Sequence, residues 1–83
     1  MSKTFYYIVK GKDSGIIYYI ARFSWKGVIE HVIEEIKHLE QLKREGLIEY
    51  EVYINAKRVV IEKRFTQKET ENRLIIIEEV EKI

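Results

Sequence analysis

The chain contains no cysteine and no proline, a single aspartate, and only four Asn and Gln together in 83 residues. Without cysteine there are no disulfide staples, no thiolate nucleophile and no thiolate metal site. No apolar run approaches the ~20 residues of a membrane span, and Met1-Ser2-Lys3-Thr4-Phe5 lacks the apolar core of a signal peptide. The expectation is a soluble, cytoplasmic protein. Candidates for a nucleophile, base and orienter are scarce too, with three serines, one aspartate and two histidines beside the glutamates. What is abundant is Ile (fourteen), Glu (thirteen) and Lys (ten), the Lys/Glu-rich, amide-poor habit of heat-adapted proteins.

Eighty-three residues make one domain, 1–83, that buries only roughly 60 to 65% of its unfolded surface. So small a core needs dense packing, ion pairs or association to hold it.

Charge is sorted along the chain although the net charge is only +1. Residues 1–28 carry Lys3, Lys10, Lys12, Arg22 and Lys26 against Asp13 alone. Residues 29–51 carry seven glutamates against Lys37, Lys43 and Arg44, and residues 52–73 are basic again. The expected picture is a basic sheet beside an acidic helix, able to orient a partner without bulk attraction.

Residues 5–10 and 16–23 are aromatic and β-branched runs around Gly11-Lys12-Asp13-Ser14-Gly15, which reads as a hairpin. A two-residue turn at Asp13-Ser14 sets Val9 opposite Tyr18 and Tyr7 opposite Ile20. Phe5, Tyr7, Val9, Tyr18 and Ile20 then share one face, and Tyr6, Ile8, Ile17, Tyr19 and Ala21 the other. Both faces are apolar, so more than one helix is needed to cover them. Ser24 is placed to cap a helix whose apolar stripe is Ile29, Val32, Ile33, Ile36, Leu39 and Leu42 or Lys43, ending at Gly46. Glu30 near its start and Lys43 and Arg44 near its end complement the dipole.

A second hairpin follows, Tyr50–Ile54 and Val59–Lys63 across Asn55-Ala56-Lys57-Arg58. Val52, Ile54, Val59 and Ile61 face its core, with Tyr53, Arg58, Val60, Glu62 and Arg64 opposite. Residues 66–72 are a polar loop. Leu74-Ile75-Ile76-Ile77 reads as a fifth strand by its β-branched density, in competition with a helix over 71–83. The order ββαββ(β) predicts an α+β two-layer sandwich, one amphipathic helix on a mostly antiparallel sheet.

Nothing in this pattern assembles a catalytic, cofactor or metal site. Ser24 is explained as a cap and Ser14 as a turn residue. His31 with Glu35, and Glu34 with His38, are i,i+4 pairs, but the histidines lie about 10 Å apart along the helix and each pair supplies two of the ~4 ligands a metal needs. All four are expected on the solvated side of the helix. The Gly11–Gly15 segment lacks the Gly-Lys-Ser/Thr ending of a phosphate loop and leads into a strand.

Two binding functions remain. In the first, the chain is a non-enzymatic protein-interaction module, a homodimer or a binder of another protein, that buries Tyr6, Ile8, Tyr19 and Phe23 through its sheet. Small size and the lack of an enzyme signature also suit an accessory protein of a mobile element. In the second, Tyr6, Tyr19 and Tyr53 stack bases of single-stranded nucleic acid while Lys10, Arg22, Arg58, Lys63 and Arg64 meet phosphates. A pI near 7.9 weighs against the second.

Overall fold

β-Branched and aromatic residues dominate five segments, and in the computed structural model, which describes residues 3–55 and 58–80, each is a strand. They are β1 (Thr4–Gly11), β2 (Ile17–Ser24), β3 (Ile48–Ile54), β4 (Arg58–Phe65) and β5 (Arg73–Glu79), with one helix, α1 (Trp25–Arg44), between β2 and β3. The strands form a single sheet in the order β2-β1-β5-β4-β3, with every neighbouring pair antiparallel. This is the α+β sandwich that the pattern of elements predicts.

Residues 73–79, for which a helix competed, are the central strand. Leu74, Ile75, Ile76 and Ile77 sit between β1 and β4, where both faces need apolar cover, so a continuous run replaces alternation. Residues 81–83 of that competing helix, and Ala56 and Lys57 of the second turn, lie outside the described residues. Since β5 separates the two hairpins, β2 and β3 become the edges, and α1 must run from one edge to the other.

Ser24 caps α1, its side chain accepting from the Gly27 N–H at 3.3 Å, and Gly46 takes a positive φ of 75° just beyond the helix. Lys43 and Arg44 occupy the last turn, but the first turn holds no acid. Glu30 lies too far in, so the dipole is complemented at the C-terminal end alone. The helix starts beside β1, where the Trp25 and Phe5 rings approach to 5.2 Å, and reaches β3, where the Tyr50 hydroxyl donates to Glu40.

That diagonal path turns the buried stripe of α1. Val28 and Leu39 are buried and Val32 and Leu42 half-buried, whereas Ile29 and Ile33, expected in the stripe, are exposed. The core joins Tyr7, Val28, Leu39, Ile48, Ile61, Ile75 and Ile77. Leu39, Ile48 and Ile61 are almost wholly removed from water, each contributing about 1.5–3 kcal/mol.

Candidate functional site

The first hairpin turns where expected, but through the four-residue loop 12–15, with the Gly15 N–H donating to the Gly11 carbonyl at 3.1 Å, rather than through a two-residue turn, and it then departs from its expected register. The Gly11 N–H donates to the Ile16 carbonyl at 2.8 Å and Lys10 faces Ile17, both consistent with a turn centred on Asp13-Ser14. Tyr18 is then an extra residue. Val9 pairs with Tyr19, Tyr7 with Ala21 and Ile8 with Ile20, so a β-bulge exchanges the faces of everything beyond it on β2. Tyr19, Ala21 and Phe23 therefore stand on the helix side with Phe5, Tyr7 and Val9, and Ile20 stands on the open side with Ile8.

This divides the four residues expected to form one interface. Phe23 is half-buried against Tyr7 and against His31, whose ring centroid is 4.2 Å away. Tyr19 makes an edge contact with Tyr7 but remains exposed on the same side. Tyr6 and Ile8 lie half-buried on the opposite face. What sequence reasoning missed is that the exposed apolar surface gathers along β2 itself. Ile16, just before β2, and Ile17, Tyr18, Tyr19 and Ile20 within it are each 46–57% exposed, and β2 is paired on one side only among the described residues. The signal was present in five consecutive large apolar residues without a charge.

The open face is less bare than two apolar hairpin faces implied. Ile20, Ile8, Ile76, Val60 and Tyr53 form one row across all five strands. Longer neighbours close over its middle, and Ile76 is only 5% exposed although no helix covers that side. The Arg22 guanidinium lies 5.2 Å from the centre of the Tyr6 ring and donates to its hydroxyl at 3.0 Å. On the other flank Arg64 pairs with Glu51 at 3.0 Å and Glu62 at 3.4 Å, and Lys12 reaches Glu62 at 2.9 Å.

Those carboxylates come from strands, which corrects the charge picture. Glu49 and Glu51 belong to the acidic stretch of the sequence, yet they lie on β3, across from Arg64 and Glu62. Hydrogen bonds from Tyr53 and then Arg64 hold the Glu51 carboxyl below its usual range, and Lys12 does the same for Glu62. Of the residues proposed to meet nucleic acid, Tyr6, Lys10, Arg22, Tyr53, Arg58 and Arg64 share the open face, with Arg58 opposite Glu78. Tyr19 and Lys63 stand on the helix side and cannot join them.

The helix constellation is also rearranged in part. His31 stacks against Tyr7 and Phe23 while staying exposed, Glu34 and His38 are exposed as expected, and Glu35 departs from that expectation by being half-buried near Tyr7. Among the described residues no three His, Cys, Asp or Glu gather as metal ligands. Burial, with the Glu35 charge adding to it, pushes the Tyr7 phenol well above its ordinary range and keeps it protonated.

The Gly11–Gly15 loop does bind an anion, and that anion is Glu71. The Asp13 and Ser14 N–H groups donate to its Oε1 at 2.9 and 2.5 Å, and the Ser14 hydroxyl to its Oε2 at 2.9 Å. These bonds hold the Glu71 carboxyl below its usual range. A Cβ at Gly11 would fall 2.5 Å from Glu71 Oε2 and from Ser14 Oγ, so any larger residue there would push this carboxylate and hydroxyl out of their present places. Glu71 thus ties the first hairpin turn to the start of β5.

No helix among the described residues is long and apolar enough to cross a membrane. No family model, curated protein or solved structure matches the chain, so the fold and these surfaces carry the functional argument by themselves.

Proposed function

We propose that the chain is a small non-catalytic interaction module of the cytoplasm that pairs with a second copy of itself along β2. The observation that carries this reading is the exposed run Ile16–Ile20 on a strand whose outer edge is unpaired among the described residues. A free edge offers alternating N–H and C=O groups to another strand, and proteins that stay monomeric blunt such edges with charge, proline or cover. β2 has Arg22 as its one charged residue and no proline. Antiparallel pairing of two β2 strands about a two-fold axis would join the sheets and shelter these side chains, adding apolar burial that a chain of this length lacks. Ser14 and Ser24 serve the turn and the helix cap, which favours binding over nucleophilic chemistry.

The nucleic-acid reading is less well supported. Its strand cations Arg64 and Arg58 face Glu51, Glu62 and Glu78, and two of its eight residues stand on the other face.

Light scattering on the purified protein at low and moderate salt, with and without a mixed-sequence single-stranded oligonucleotide, tests the proposal. A dimer of unchanged mass across salt that ignores the oligonucleotide is expected. A monomer at tens of micromolar overturns it. A monomer that gains mass with oligonucleotide only at low salt transfers the function to the open face.

A further inference from the structure

One corner of the helix side gathers two cations that form no close ion pair among the described residues. Lys63 on β4 and Arg73 on β5 are direct cross-strand partners, and like charges placed opposite one another destabilise a sheet. Both are half-buried, and neither forms an ion pair or a side-chain hydrogen bond with any described residue. They share one ring instead, with Lys63 Nζ 5.1 Å and the Arg73 guanidinium 5.8 Å from the centre of Phe65. Arg73 partners Gly11 on β1, where no side chain intervenes, and its guanidinium lies 4.3 Å from the Tyr18 ring on β2. Its Nε is buried without an acceptor, a state that costs free energy until one is supplied.

The nearby acids do not supply it. Glu71 is committed to the Asp13 and Ser14 N–H groups and to the Tyr18 hydroxyl, and Glu35 acts on Lys63 from beyond ion-pair distance. Burial lowers the Lys63 ammonium below its usual range, Glu35 opposes that shift and Arg73 adds to it. The cation–π contacts place the two head groups about Phe65 and Glu35 offsets the repulsion at Lys63 from a distance, but neither gives the guanidinium an acceptor.

We infer that Lys63 and Arg73 form a binding site for a phosphate group, with the guanidinium, flanked by Tyr18 and Phe65, offering its fork of N–H donors and the ammonium completing the charge. A guanidinium meets a tetrahedral oxyanion through paired donors, while lysine acts as a point charge. The site shares Tyr18 with the run along β2, but both of its cations lie on β4 and β5, away from the strand edge.

Inorganic phosphate is the probe, titrated at constant ionic strength against chloride while backbone and arginine Nε–H resonances are followed by NMR. Saturable shifts centred on Lys63, Arg73 and Tyr18 with a low-millimolar Kd are expected. Arg73→Gln should weaken binding at least tenfold and Lys63→Gln several-fold, while Glu35→Gln should tighten it and Arg58→Gln leave it unchanged. The same spectra report whether each variant is folded, and Glu35→Gln keeps both cations should Arg73→Gln fail to fold. Shifts that do not saturate, that spread equally over Lys10 and Arg22, or that survive Arg73→Gln in a folded protein overturn the assignment.

Discussion

The two edge strands use similar residues and present different surfaces. β2 reads Ile-Tyr-Tyr-Ile-Ala-Arg-Phe-Ser and β3 reads Ile-Glu-Tyr-Glu-Val-Tyr-Ile. On β3, Glu49 and Glu51 take alternate positions on the open face, Tyr50 donates to Glu40 on α1, and Tyr53 donates to Glu51 at 2.6 Å. Carboxylates spaced in this way make a second strand costly to dock, because their charge would be desolvated or set against its own copy. β2 has no such row. Both edges expose apolar side chains, Ile54 most of all at 76%, so hydrophobicity alone does not distinguish them. The difference lies in where charge falls along the pleat.

Both edges depend on a shared core, and the largest effect comes from removing it. Leu39 is fully buried where α1 joins the two halves of the sheet, and Leu39→Ala should cost about 2–5 kcal/mol. Urea unfolding at fixed protein concentration measures it. A loss below about 1 kcal/mol would mean that the halves are not held through this residue.

Charge moved onto each edge in turn sharpens the comparison. Ile20→Lys should weaken self-association by about a hundredfold, near 2.7 kcal/mol. Ile54→Lys, on the more exposed isoleucine at the other edge, should leave it within twofold. Sedimentation equilibrium over a concentration series separates the two outcomes. Equal loss from both substitutions would mean that β2 has no privileged role and that association follows apolar area in general.

How much of this was legible in the sequence depended on whether a residue's position followed from periodicity or from a local irregularity. β5 was readable because a run such as Leu74–Ile77 has few other homes, and Ser24 and Gly46 marked the helix through their side-chain and backbone chemistry. The second hairpin kept its register, with Val52 opposite Ile61 and Ile54 opposite Val59, but Val52 and Ile54, expected to face the core, are exposed because β3 is an edge strand. In the first hairpin the single inserted Tyr18 exchanged the faces of Tyr19 and Ile20, and both faces were apolar, so no polarity signal marked the slip. The exposure of Ile29 and Ile33 follows from the diagonal path of α1, which depends on β5 entering between the hairpins. The Lys63–Arg73 pairing is equally non-local, since its partners become neighbours only through β4–β5 register.

The smallest effect contrasts the ends of the two hairpins through pH. Glu71 closes the first, and its bonds to Ser14, Asp13 and Tyr18 hold its carboxyl below the ordinary value of 4.5. A carboxylate whose pKa falls on folding adds stability that is fully present above the unfolded value and is lost as pH drops through the folded one. The stability gap between wild type and Glu71→Gln should therefore be constant above about pH 5 and shrink below 4.5. Glu51 and Glu62 are lowered in the same sense on the β3 side, so both proteins weaken in acid and only the difference between them isolates the β2 turn. Chemical denaturation from pH 7 to 3 gives that difference. A gap that stays flat across the range would mean that Glu71 acts through hydrogen bonding alone, with its charge contributing nothing to holding the first hairpin against β5.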